Sequence, residues 1–298
     1  MNPVREKSAA APHKNGTPPF PRQQQISPPG LEEEMNPRAD HGEETYRGSG
    51  LLEGRSAVIT GADSGIGRAV AIAFAREGAN VCIGYLNEED DARETEQWVR
   101  KAGRKALRIA GDIQNEKHCV SIVENAKSAF GAIDILVNNA AFQSTHSDPA
   151  DFSTEEFERT FRTNVFGTFF LSKAVLQHMK PGNSIINTVS IQSFDPDGEL
   201  LAYASTKSAL ASFTRSLART AMTTYGVRVN AVAPGPVWTP LIPSTMPPEK
   251  VKNFGANTVF KRPAQPAELA PIYVFLASAQ ASYVTGEIYG ATGGQTPL

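Results

Sequence analysis

Cysteine is nearly missing from this chain: Cys82 and Cys119 are the only two in 298 residues. A disulfide framework is therefore excluded, and a reducing, cytoplasmic setting is expected. Histidine is scarce too, with His13, His41, His118, His146 and His178 at no metal-ligating spacing. His118–Cys119 reads as a pair on an amphipathic helix, and no metal is expected. Neither sign of charge is in excess, since 29 basic and 31 acidic residues leave a net −2. That balance offers no field for nucleic acid or an acidic membrane. No apolar run approaches the ~20 residues that cross a bilayer, and no hydrophobic segment opens the chain, so neither membrane nor secretion is expected. With 40% hydrophobic and 20% charged residues, what remains is the composition of a soluble globular protein.

Residues 1–50 differ in kind from the rest. The stretch is rich in Pro, Gln, Glu and Gly, with no helical or strand period, and it cannot bury enough apolar surface to order itself. Two readings stand: a disordered tail, or an arm that docks through Phe20, Leu31, Met35 and Tyr46. Its prolines make an extended docked form less unfavourable. The expectation is that the first ~15 residues are mobile while part of 20–50 is ordered against the body or a neighbouring subunit.

From 51 to 298 the chain reads as one domain. "RSAVIT", "NVCIGY", "KALRIAGD", "AIDILVNNA", "NSIINTVS", "VRVNAVAP" and "GEIYGATGG" are strand-like, with helical stretches between them. That alternation predicts an α/β fold, a parallel, doubly wound sheet of the Rossmann type with helices on both faces. A long helix is predicted from Ser153, where "STEE" forms a capping box to Glu156. The Pro-rich segment 239–255 reads as a lid over a substrate.

Two local patterns carry chemistry. "TGADSGIG" follows the first strand and opens the first helix, where a dinucleotide fold needs its phosphate turn. Gly61 permits the tight turn, Gly65 lets backbone approach a pyrophosphate, and Gly67 lets the helix pack close. Free N–H groups at the helix start then face the anion. The second pattern is Tyr203 and Lys207, four apart with only small residues between, hence on one helical face. A free phenol titrates near pH ~10. An ammonium about 4 Å away favours phenolate by up to ~4 kcal/mol at an effective dielectric of ~20. The pair reads as a proton-transfer device poised toward neutral pH.

Taken in order, "TGADSGIG", "GDI" (111–113), "NNAA" (138–141), Asn164, Ser190, "YASTK" (203–207) and "VNAVAPGPVWT" (229–239) resemble the short-chain dehydrogenase/reductase family, in its compact single-domain branch. The Pro-rich leader is similar to that of a subgroup of bacterial general stress and aldehyde reductases and plant glucose/ribitol dehydrogenase homologues. The resemblance implies a seven-stranded sheet, a nicotinamide cofactor and a homotetramer. It makes Tyr203 the general acid/base, with Lys207 lowering its pKa and binding the nicotinamide ribose. Ser190 holds the substrate oxygen, and Asn164 carries a water that relays protons to Lys207. Cofactor contacts are expected at Gly61, Ser64, Gly65, Ile66, Gly67, Tyr85, Leu86, Asp112, Ile113, Asn138, Ala140, Tyr203, Lys207, Pro234, Gly235, Val237 and Thr239. Ala141 departs from the family's usual Gly and adds a methyl near the cofactor ribose.

Tyr85, Leu86 and Asn87 end the second strand without the carboxylate that takes a ribose diol, so NADP(H) is preferred, with NAD(H) possible. Gln192, Phe194 and Trp238 are expected to line the pocket. Asp195, Asp197 and Glu199 disfavour a polyanion, which leaves a small aldehyde, ketone, sugar or polyol. The alternative is a silent dinucleotide-binding scaffold that keeps the fold without turnover.

Overall fold

Ser56–Thr60 forms β1 with every residue buried, because covered strands of a parallel sheet need apolar character on both faces. The computed structural model describes residues 16–25 and 27–295; the expected mobility of the first ~15 residues lies outside them. After β1 come α1 (Gly65–Arg76), β2 (Asn80–Tyr85), α2 (Glu89–Lys101), β3 (Ala106–Ala110), α3 (Glu116–Phe130) and β4 (Ile135–Asn138). The second half follows with α4 (Thr154–Phe161), α5 (Gly167–Leu176), β5 (Ser184–Thr188), α6 (Leu201–Tyr225) and β6 (Arg228–Pro234). Short α7 (Leu241–Thr245) and α8 (Pro248–Lys252) lead to α9 (Pro266–Ala277) and β7 (Ile288–Ala291). All seven strands are parallel in the order β3-β2-β1-β4-β5-β6-β7.

Strand alternation divides the core into two layers. Ile59, Ile83, Val137 and Ile186 face α1 and α9, while Val58, Cys82, Leu136 and Ile185 face α3 and α5. The alanine-rich α1 is buried almost all round, which lets α9 lie close over it.

The helix expected from Ser153 is interrupted. Its start is as predicted on one side only: Ser153 accepts from Glu156 N–H at 3.1 Å. The Glu156 carboxylate does not close the box but bonds Ser144 and His146, a stronger, charge-assisted use of it. A wide π-turn, Arg162–Phe166, then separates α4 from α5, a device that often marks a functional position.

The arm runs along the body. Phe20 stacks on Trp238 with ring centroids 4.0 Å apart, and Trp238 Nε1 donates to Pro37 O at 2.8 Å. Arg76 of α1 reaches back to the carbonyls of Gly42, Glu43 and Tyr46. Trp238 is thus fully buried under the arm, not on the pocket wall as expected from sequence, and Phe194 also lies off that wall.

Candidate active site

The C-terminal ends of the central strands open into a cavity of about 860 Å³. It lies where strand order reverses between β1 and β4, the place such sheets bind ligands. Gly61 follows β1 with φ +61°, and a Cβ there would sit 3.0 Å from Ala140 Cα. At Gly67 a Cβ would meet Gly61 O at 1.9 Å, so no side chain is accommodated. Ser64 precedes α1 but makes no side-chain cap. The turn therefore offers close-approaching backbone and the start of a twelve-residue helix that Ser64 leaves uncapped, which fits the diphosphate of a dinucleotide.

The proton-transfer groups come from β5 and α6. Ser190, just past β5, lies beside Tyr203 on the cavity wall, and its Oγ accepts from Gln192 N–H at 3.2 Å. Lys207, one turn along α6, donates to Thr188 O at 2.7 Å and lies 5.4 Å from the Tyr203 ring centroid. Burial dominates both groups. It pushes the Tyr203 phenol up to about 12 against the opposing bond from Ser190, and the Lys207 ammonium down to about 7. Burial thus moves both groups toward their neutral forms, opposite to the shift toward neutral pH that the spacing of the pair led us to expect for the phenol.

Asn164 sits in the π-turn, fully buried. Its amide donates to Phe142 O and Thr206 Oγ1, both at 2.9 Å, and accepts from Phe142 N–H at 2.8 Å. It joins the β4 loop to α6 from behind the cavity wall.

Of the residues expected to meet the cofactor, Gly61, Ser64, Gly65, Ile66, Tyr85, Leu86, Asp112, Ile113, Ala140, Pro234, Gly235, Val237 and Thr239 line the cavity, with Ser190, Tyr203 and Lys207. Gly67, Asn138 and Asn164 do not. Asn138 instead spans the sheet to Asn187 at 2.9 Å and Ser172 at 3.2 Å. Sequence reasoning missed Asp63 and Glu88, buried carboxylates that line the end of the cavity at Tyr85 and Leu86. It also missed Pro28 and Pro29 of the arm and Arg159 of α4 on the same wall. Asp63 had a signal, since it stands inside the glycine turn; Glu88 had none beyond its closeness to β2.

A family model described as enoyl-(acyl carrier protein) reductase matches residues 61–296. The chain is 50% identical over 273 residues to the uncharacterized oxidoreductase YhdF of Bacillus subtilis, across 92% of this chain and 94% of that one. It is 45% identical over 281 residues to glucose and ribitol dehydrogenase of Daucus carota, across 92% and 96%. Among solved structures, a short chain dehydrogenase from Burkholderia cenocepacia in complex with NADP matches with a TM-score of 0.77 at 28% identity, covering 82% of this chain and 98% of that one. The chain belongs to the short-chain dehydrogenase/reductase family and is an oxidoreductase that works with a nicotinamide dinucleotide.

Proposed function

We propose that the protein reduces a small carbonyl compound to its alcohol, with Tyr203 as the acid that delivers the proton. The observation that carries this reading is the meeting of Tyr203, Ser190 and Lys207 on one cavity wall, with the Tyr203 hydroxyl kept protonated by burial. A bound nicotinamide supplies the hydride, or accepts it in the reverse direction. Ser190 Oγ is placed to hold the carbonyl oxygen as charge develops there. Lys207 gains its proton as pH falls through about 7 and then stabilises the oxygen that Tyr203 leaves behind. Asn164 acts through Phe142 and Thr206, fixing the wall on which Tyr203 stands.

The rest of the wall is mixed: Gln143, Gln192, Asp197 and Asn253 stand among Phe142, Leu241, Met246 and Phe254. The polar groups suit hydroxyl-bearing aldehydes, ketones, sugars or polyols, in keeping with the sugar and polyol named for the Daucus carota relative. For the cofactor, the sequence favours NADP(H) because no acid ends β2. Asp63 and Glu88 at that same end favour the ribose diol of NAD(H) instead, with NADP(H) admitted while Asp63 is protonated. The assembly we propose is a homotetramer. Phe166 and Phe169 on the α5 side, and Val259, Phe260 and Tyr283 near the C-terminus, are exposed apolar side chains on which its two interfaces would be built. Cys82 and Cys119 are both free and buried, which suits the reducing cytoplasm.

Tyr203→Phe tests the assignment. Carbonyl-dependent oxidation of NADH or NADPH should fall at least ~100-fold, as expected for loss of a general acid. Cofactor affinity should stay within a few-fold, since the ring is kept. Substantial turnover in the Phe variant removes Tyr203 from the mechanism.

A further inference from the structure

One carboxylate of the N-terminal arm reaches the cofactor turn. Glu32 lies 33 residues before Gly65 and is only 2% exposed. Its Oε1 accepts from the Gly65 N–H at 2.7 Å and lies 2.8 Å from His41 Nε2. Gly65 is the first residue of α1, whose preceding Ser64 supplies no capping bond. A capping side chain just before a helix serves its second or third N–H; here the arm supplies an acceptor for the first.

The grip extends to both sides of the turn. The Glu32 N–H donates to Asp91 Oδ2 of α2 at 2.9 Å, and Asp91 Oδ1 meets Arg68 of α1 at 3.2 Å. Arg68 Nε in turn donates to Asp63 O at 2.7 Å. Residues 63–65 are thus held from the arm, from α1 and from α2 at once.

Charge makes the arrangement specific. A buried carboxylate beside a diphosphate site repels the ligand unless it is neutralised. His41 stands between Glu32 and Glu43, 2.8 Å from each. Burial alone would lower its imidazole, and Arg68 works in the same direction, but the two carboxylates outweigh them and lift it to about 9. At neutral pH His41 is charged and, shared with Glu43 but joined by Arg68, offsets the charge of Glu32. The carboxylate then works as a fixed acceptor for one N–H and leaves those that follow it unclaimed.

We propose that Glu32, neutralised by His41, is a positioning residue for the cofactor: from the arm it fixes the Gly65 N–H and so aims the next N–H groups of α1 at the diphosphate. This rests on the nicotinamide dinucleotide reading of the cavity.

The test uses the full chain, titrated with NADH and NADPH by nicotinamide fluorescence alongside steady-state kinetics. Glu32→Ala should raise cofactor Kd and cofactor KM about ten-fold or more, with kcat at saturating cofactor within about two-fold, as expected for a lost charge-assisted hydrogen bond in binding. Glu32→Gln keeps an acceptor for Gly65 and should recover most of the affinity. Phe20→Ala loosens the arm at Trp238 without removing any bond made by Glu32 or Gly65. It should lower the melting temperature while moving cofactor Kd by no more than about two-fold. An unchanged Kd in Glu32→Ala overturns the proposal, and so does an equal rise in Phe20→Ala. If Glu32→Ala does not fold, His41→Gln decides. It leaves the Glu32 charge uncancelled and should bind cofactor more weakly than Glu32→Gln; equal affinities in those two overturn the proposal. A wild-type chain that binds neither cofactor removes the cofactor reading and the positioning role together. A wild type that binds, beside an indifferent Glu32→Ala, removes the positioning role alone.

Discussion

Asp63 stands inside the glycine turn with 3% of its surface exposed, and Glu88 lines the same end of the cavity. Burial first, then the charges of Glu88 and Asp91, push its carboxyl up to about 7. Its Oδ2 has no hydrogen-bond partner among the described residues. On the cofactor reading proposed above, Asp63 would be neutral below that pH and tolerate a 2′-phosphate; above it, the carboxylate would accept from a ribose diol and repel the phosphate. The ratio of kcat/KM for NADP(H) over NAD(H) should therefore fall as pH rises through 7. Asp63→Asn should flatten that dependence and move the ratio about ten-fold toward NADP(H), one pKa unit's worth of interaction. A wild-type ratio that ignores pH between 6 and 8 excludes Asp63 from cofactor choice. Tyr203 and Lys207 were legible from sequence because one helical turn fixes their relation whatever the rest of the chain does. Asp63 was not, because in sequence an Asp among glycines is an ordinary loop residue. Its burial comes from Arg68, which binds its carbonyl at 2.7 Å, and from Thr95 on the neighbouring helix at 3.1 Å.

At the scale of elements, the strands were readable as apolar runs because a covered parallel sheet leaves no polar face to blur them. The arm was readable only in part. Spaced apolar residues such as Phe20 and Met35 pointed to docking, and both are buried. What they dock against was hidden, since Phe20 meets Trp238 across most of the chain's length. The same distance explains why Trp238 was misplaced on the pocket wall. The arm holds the loop that carries α7 and α8: Phe20 N–H donates to Lys252 O and Gln25 N–H to Pro243 O, both at 2.8 Å. Phe20→Ala should destabilise the chain by about 3 kcal/mol, the usual cost of emptying a buried aromatic site. Denaturant unfolding with an unchanged midpoint would exclude that packing. The His41 pair adds a pH dependence of known sign. An imidazole lifted from 6.5 to about 9 contributes stability that is complete below 6.5 and is lost as pH rises through 9. His41→Gln should remove that alkaline decline in melting temperature while leaving the strands and Tyr203 in place.

For the whole molecule, two exposed apolar faces lie far apart in the sequence. Phe157, Phe166 and Phe169 are each more than a third exposed, and α4, the π-turn and α5 carry them in turn beside Phe161 and Phe170, which make ring contacts with them. The second face we propose takes in Val259 and Phe260, adjacent in the chain, together with Tyr283, which is fully exposed. Isolated surface aromatics need no partner, but contiguous ones do. Two distinct self-complementary patches are what a tetramer with three mutually perpendicular two-folds requires, and one patch alone would give only a dimer. Breaking one interface of such a tetramer leaves dimers joined by the other. Phe166→Glu with Phe169→Glu should therefore yield dimers in light scattering after size exclusion, and so should Phe260→Glu with Tyr283→Glu. The combination of all four should yield monomers. Tyr203 and its cavity lie within one chain, so the dimers should keep cofactor binding. A wild-type chain that elutes as a monomer at micromolar concentration, or a quadruple variant that stays tetrameric, would show that these faces do not hold the assembly.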